Sequence, residues 1–310
     1  MFSKSPKFPL LGFLSIFLSF NAGAFSTSVA LIVDNDGIFG TDEDYTSGVV
    51  LDLSSDLSSE WLGAQRWRMQ LGQKIWTPSN LDATTPQPNE RPYAGLLYAQ
   101  GSIINRTAIR LHEFGLMLGT TGPDSYADQG QKFIHGITDS TDPRGWDYQI
   151  DNQIVGSALY KGHYLVSVPS QKQEVSTLFR AEAGNFRSEV ATGLIWRWGS
   201  NLSDSFGTIT PSNEGSFSAA AMAKGSTSGT FFFSGIEGRY RFNDITIEGD
   251  TMRETYPINI QNLQATIVFG GVAYWNNMGI NITVASKTKD YKEAASDIAS
   301  NASFSAFMRF

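Results

Sequence analysis

The feature that most constrains this chain is a two-residue alternation sustained over segments of ten residues or more. From Ile236 onward, Glu237, Arg239 and Arg241 fall on one face, and Gly238, Tyr240 and Phe242 on the other. At the end of the chain Phe304, Ala306, Met308 and Phe310 share a face. A period of two belongs to a strand with unlike faces, whereas a helix repeats every 3.6 residues. That longer period is almost absent after Phe25. Twelve segments carry the strand signature: 27–34, 45–55, 67–77, 92–104, 107–119, 153–168, 173–185, 189–199, 228–242, 261–275, 278–289 and 302–310.

Soluble sandwiches alternate too, but three features favour a membrane barrel. The segments match the ~9–11 residues a tilted spanning strand needs. Aromatics gather near their ends (Trp61, Trp67, Trp76, Tyr93, Tyr98, Trp196, Trp198, Tyr274, Trp275), as in interfacial girdles. The last strand ends in Phe310, like the assembly signal of bacterial outer-membrane barrels. Closure also removes the exposed edges that long strands would otherwise carry. The expected fold is therefore all-β: a transmembrane antiparallel β-barrel of about twelve strands. One segment, 126–137, reads instead as a short extracellular helix, capped by Asp124 or Ser125. The stretches 200–227 and 243–260 read as long loops, with 245–248 extending a strand beyond the membrane.

The N-terminus carries Lys4 and Lys7, an apolar run over 10–20, and then Ala22-Gly23-Ala24. This is the layout of a secretory signal peptide, 1–24, ahead of a barrel over 25–310. A net charge of −7 opposes a nucleic-acid partner, which calls for excess Lys and Arg. Zero cysteines exclude disulfides, thiolate metal sites and a Cys nucleophile. No Gly-x-Ser-x-Gly elbow and no His-Glu-x-x-His helix occurs.

With the mature N-terminus in the periplasm, odd strands run outward and even strands inward. Asp34–Asp36, Tyr45-Thr46, Arg91–Tyr93, Gly122-Pro123 with the helix after it, and Gly145–Gln149 then all meet at the outer rim. Five stretches carry a resemblance: Asp34-Asn35-Asp36; Asp44-Tyr45-Thr46-Ser47-Gly48; Asn89-Glu90-Arg91-Pro92-Tyr93-Ala94-Gly95; Gly122-Pro123 through Gln131 and His135; and Gly145-Trp146-Asp147 with Gln149. In this order they resemble the outer-membrane lipid A 3′-O-deacylase family (LpxR-like). The resemblance implies a carboxylic ester hydrolase of the bacterial outer membrane, with its site facing the extracellular leaflet. It further implies that lipid A of lipopolysaccharide is the substrate, that a 3′-linked acyloxyacyl group is removed, and that Ca2+ is required.

His135 is one of three histidines, with His112 and His163. A neutral imidazole is a natural base for drawing a proton from water, and the family's general base maps onto it. Asn35, Asp36 and Thr46 map onto the other essential positions. Asn35 and Thr46 suit hydrogen bonding to a developing oxyanion or to water, and Asp36 suits a hard cation. Asp-Asn-Asp-Gly is also ordinary turn chemistry, and it fails as an EF-hand loop because Tyr45 occupies the twelfth position. Gln131, one helical turn before His135, suits orienting imidazole or substrate; Arg91, Lys132 and Arg144 suit lipid A phosphates. Trp146 and Gln149 are expected to brace the rim. The alternatives are an outer-membrane phospholipase and a non-enzymatic barrel, porin or structural. Oligomeric state has no signature in the sequence.

Overall fold

The computed structural model describes residues 27–37, 44–138, 142–225 and 228–310; the expected signal peptide lies outside them. Twelve strands form one closed antiparallel barrel. They are β1 (Ser28–Asn35), β2 (Asp44–Trp61), β3 (Ala64–Thr77), β4 (Ala94–Arg106), β5 (Arg110–Thr121) and β6 (Ile154–Ser170), then β7 (Gln173–Gly184), β8 (Arg187–Gly199), β9 (Ser228–Asp244), β10 (Leu263–Trp275), β11 (Met278–Thr288) and β12 (Ile298–Arg309). Each of the twelve expected segments overlaps one of these strands, though β2, β3 and β12 extend several residues past the expected bounds. β1 closes the cylinder on β12, with Ser28 opposite Arg309 and Asn35 opposite Ala302.

Alternation sorts the side chains. On β1 Leu31 and Val33 are exposed on the wall's exterior, while Ile32 and Asp34 are buried in the lumen. The exterior is apolar, as a lipid-facing surface requires, and no described helix is long and apolar enough to cross a membrane. The two rims differ. At one, β2–β3, β6–β7 and β10–β11 are joined by two-residue turns. Leu62 and Gly63, in the first of them, both take positive φ, the mirror-type hairpin that matches strand twist. Longer connections, 78–93, 122–153, 245–262 and 289–297, crowd the opposite rim.

Trp61, Trp67, Trp196, Trp198 and Trp275 stand exposed toward the short-turn rim as a girdle. Trp76, Tyr98 and Tyr274 do not belong to it, because their phase on the strands points them into the lumen; Tyr93 is buried beneath loops. The segment 245–248 is not a strand extension but a single helical turn, α2 (Ile245–Glu248). Asp244 caps it, accepting from the Thr246 amide at 3.0 Å.

Charged side chains bridge the lumen. Arg68 joins Asp52 and Glu113, Arg180 joins Glu237, and Arg241 joins Glu189 and Asp244. Buried charges persist when each meets an opposite partner. The connection after β8 occupies much of the remainder, leaving a polar cavity lined by Arg68, Lys74, Arg180 and Glu214. It folds back from the short-turn rim into the barrel as a plug, burying Leu202, Phe206, Ile209, Phe217 and Ala219–Ala221. Arg197 holds its base by donating to the Leu202 and Ser205 carbonyls at 2.6 and 2.8 Å. Its tip, Glu214, reaches Lys74 at 2.8 Å and Arg187 at 3.2 Å, near the far ends of β3 and β8. His163 faces the lumen, against Phe206 of the plug, whereas His112 sits beside Tyr160.

Candidate active site

The long-loop rim carries polar residues on the exterior of the wall, where the strands below present apolar ones. Asn35 continues the exterior phase of Leu31 and Val33, and it lies opposite Ser47 of β2. A bulge between Tyr45 and Ser47 leaves Thr46 without a register partner on β3. Such an extra residue re-aims a side chain. The Thr46 hydroxyl meets that of Thr77 at 2.6 Å, and Thr77 lies on the exterior phase of β3. The Asp36 amide donates to the Thr46 carbonyl at 3.2 Å, and the Asp36 carboxylate is buried. Asn35, Asp36 and Thr46 thus belong to one patch spanning β1 and β2.

Helix α1 (Ala127–Thr138) lies against the outside of the wall over β4 and β3. It follows a one-turn 3-10 helix, Gly122–Ser125, from which Tyr126 exits in left-handed conformation (φ 55°). Two glycines let it approach. A Cβ on Gly95 of β4 would stand 2.3 Å from the Ala127 Cβ, and one on Gly130 would stand 2.4 Å from Gln73 Oε1 on β3. The helix therefore passes over β4 at Ala127 and over β3 at Gly130. Gln73 Nε2 donates to the Ser125 carbonyl at 2.7 Å and pins the start. The Ser125 hydroxyl donates backward to the Gly122 carbonyl at 2.6 Å, and Asp124 lies inside the one-turn helix. The expected side-chain cap is thus replaced by this preceding turn.

Ala127, Gln131 and His135, at i, i+4 and i+8, form the buried face of α1; His135 is 6% exposed. Trp146 Nε1 donates to Gln131 Oε1 at 2.9 Å, fixing which end of that amide faces the indole. Trp146 packs on Tyr93 (ring centroids 4.9 Å apart) in a cluster with Ile75, Leu81 and Ala127. Burial there pushes the Tyr93 phenol up to about 12. Gln149 bridges to Tyr93 in parallel register. The exterior wall of β3 is thereby roofed over, with His135 on the buried face of the roofing helix.

The cationic candidates separate. Arg91 is buried and directed into the rim, with Nη1 3.3 Å from Asp44 and Nη2 donating to Thr246 Oγ1 at 2.8 Å. Asp290, 3.6 Å away, also meets Lys287 and Arg241. Burial alone would raise its pKa, but Lys287, Arg241 and Arg91 hold it below the usual carboxylate range. Lys132 is exposed on the far side of α1, 3.5 Å from Asp128. The Arg144 side chain is exposed, while its amide donates to the Leu81 carbonyl at 3.0 Å. Thr77 and Thr246 had no signal in the sequence, because their partners come from other strands.

Among the described residues, no three His, Asp, Glu or Cys side chains cluster as a metal site. Asp42 and Glu43 lie outside them. The Asp36 carboxylate, the Asn35 amide and the Thr46 hydroxyl are nevertheless all hard oxygen donors, the type calcium takes.

The family model described as outer membrane protein LpxR matches residues 10–310. The chain belongs to the LpxR family. Among solved structures, LpxR from Salmonella typhimurium is similar at a TM-score of 0.79 and 18% identity, covering 91% of this chain and 100% of that one. That likeness concerns the fold. The KdgM porin is far less similar, with a TM-score of 0.40 and 7% identity over 91% of this chain and 99% of its own. No curated protein matches. Membership in the LpxR family agrees with the five motifs and supports an outer-membrane lipid A deacylase.

Proposed function

We propose that the protein hydrolyses the 3′-linked acyloxyacyl ester of lipid A in the extracellular leaflet. The observation that carries this reading is the side of the wall on which the polar patch lies. Asn35 lies on the lipid-facing phase of β1, Thr46 meets Thr77 on the exterior phase of β3, and the Asp36 amide joins them through the Thr46 carbonyl, beside the stretch of wall that α1 covers. Bacterial barrels keep short turns in the periplasm and long loops outside, so this rim faces the extracellular leaflet. A lipid ester could reach the patch with its chains lying along the apolar wall. The plug meanwhile occupies part of the lumen and buries its apolar side chains there.

In the reaction, His135 accepts a proton from water as the oxygen attacks the ester carbonyl. Asn35 and Thr46 donate to the oxyanion of the tetrahedral intermediate. The intermediate collapses by breaking the bond to the sugar oxygen, and His135 returns its proton to that oxygen. The products are a free acyloxyacyl acid and a 3′-hydroxyl on lipid A. Gln131, held by Trp146 through its Oε1, keeps its Nε2 for orienting the substrate. Lys132 and Arg144, exposed beside the roof, meet the phosphates, while Arg91 serves by holding the rim together. Calcium, when bound through Asp36, supplies positive charge opposite the developing oxyanion.

Mass spectrometry of lipids from cells expressing the protein tests the reading. Lipid A is expected to lose an acyloxyacyl unit, with phospholipids unchanged. Lyso-phospholipids with intact lipid A would contradict it in favour of a phospholipase. No change in either lipid would contradict it in favour of a non-enzymatic barrel.

A further inference from the structure

Behind the exterior patch, on the lumen side of the same wall, lies a polar cluster that the reaction above does not use. Tyr45 Oη donates to Asp34 Oδ2 at 2.8 Å, and both residues are buried. Asp34 immediately precedes Asn35, and Tyr45 immediately precedes Thr46. Asp34 pairs in register with Gly48, whose missing side chain makes room for the phenol; a Cβ there would stand 2.0 Å from Tyr45 Oη. The bulge at Thr46 is what leaves Tyr45 and Gly48 on the same side. The hydrogen bond therefore fixes the phase of two strands at the point where one of them is irregular. A slip would rotate Asn35 or Thr46 away from the exterior.

The cluster continues into the plug. The Lys74 ammonium lies 5.9 Å from the Tyr45 ring centroid and 5.7 Å from that of Tyr98. It is held at 2.8 Å by Glu214, which also takes Arg187. A carboxylate entering from the other rim thus anchors the cation that backs Tyr45. Bulk structure alone does not require this reach, since the plug buries its apolar residues lower down, against Leu178, Ile195 and Phe307.

We propose that Asp34 and Tyr45, backed through Lys74 by Glu214 of the plug, are positioning residues that hold Asn35 and Thr46 in register for hydrolysis on the opposite face of the wall. The inference rests on the proposed ester hydrolysis. None of these four residues touches the substrate, so their loss acts on turnover and not on binding.

The experiment uses the full mature barrel in detergent micelles containing lipopolysaccharide, with kcat, KM and the thermal unfolding midpoint measured for each variant. Tyr45→Phe is expected to lower kcat about tenfold with KM within twofold and the midpoint nearly unchanged. Asp34→Ala is expected to match it. Asp34→Asn, whose amide oxygen still accepts from the phenol, is expected to recover most of that loss. Glu214→Gln is expected to give a smaller fall in kcat with the same KM. A wild-type kcat in Tyr45→Phe would overturn the proposal. So would equal losses in Asp34→Ala and Asp34→Asn, or losses that only track the folded fraction. His135→Ala is run in parallel. Turnover retained there refutes the hydrolytic reading itself, whereas an inactive His135→Ala beside a fully active Tyr45→Phe refutes only this inference.

Discussion

The Trp146 indole N–H donates to Gln131 Oε1 at 2.9 Å, tying the 142–150 segment to the buried face of α1 one turn before His135. A single neutral hydrogen bond of this kind contributes about 1 kcal/mol. Trp146→Phe keeps the stacking on Tyr93 but frees the glutamine. It is expected to cost about 1 kcal/mol in unfolding measurements and to lower deacylation several-fold. Unchanged activity would show that Gln131 needs no such orientation.

The approach of α1 to the wall depends on Gly95. Its Cα faces Ser125 and Ala127, so any side chain meets the helix start. Gly95→Leu is expected to lift α1 and abolish deacylation while leaving the twelve-strand ring closed. Heat-modifiable gel mobility reports the ring and lipid A mass spectrometry reports the activity. A fully active Gly95→Leu would contradict the role given to the roof.

The sequence showed the strands far more clearly than what lies inside and above them. Alternation exposes one face of each strand to lipid, so the twelve segments were readable without any knowledge of partners. The plug carries no period: its Ser-, Gly- and Ala-rich stretch is buried by small side chains and local turns such as Ala219–Ala221. Arg91 illustrates a second limit. As an isolated arginine it suits a phosphate, yet its neighbours Asp44, Thr246 and Asp290 come from the start of β2 and two distant connections. Trp76 and Tyr98 show a third, since an aromatic near a strand end belongs to a girdle only when its phase points outward. Asn35, Thr46 and His135 stand out only through the motifs; periodicity alone leaves them as polar residues of the rim.

Asp290 sets the pH behaviour of the long-loop rim. Its carboxyl is held below the ordinary range by Lys287, Arg241 and Arg91, which outweigh burial. A depressed value means that its stabilisation is fully present above the unfolded value of about 3.9 and is lost as pH falls toward the folded one. The difference in thermal midpoint between wild type and Asp290→Asn is therefore expected to be large at pH 7 and to shrink at pH 3. A difference that stays constant or grows on acidification would contradict this assignment.

With calcium held by Asp36 beside Thr46, as proposed, activity depends on the metal. Chelation is expected to abolish deacylation reversibly, with added calcium restoring it. Asp36→Asn is expected to raise the calcium concentration needed for half-maximal activity by tenfold or more. Activity insensitive to chelation, in wild type and variant alike, would remove the metal from the account.

The central claim is that His135, carried by α1 on the lipid-facing side of the wall, drives the hydrolysis. Mass spectrometry of lipid A from cells expressing His135→Ala, with folding verified by heat-modifiable mobility, tests it most directly. The account predicts an intact barrel and lipid A that keeps its 3′ acyloxyacyl group. Lipid A stripped of that group to the wild-type extent would contradict it.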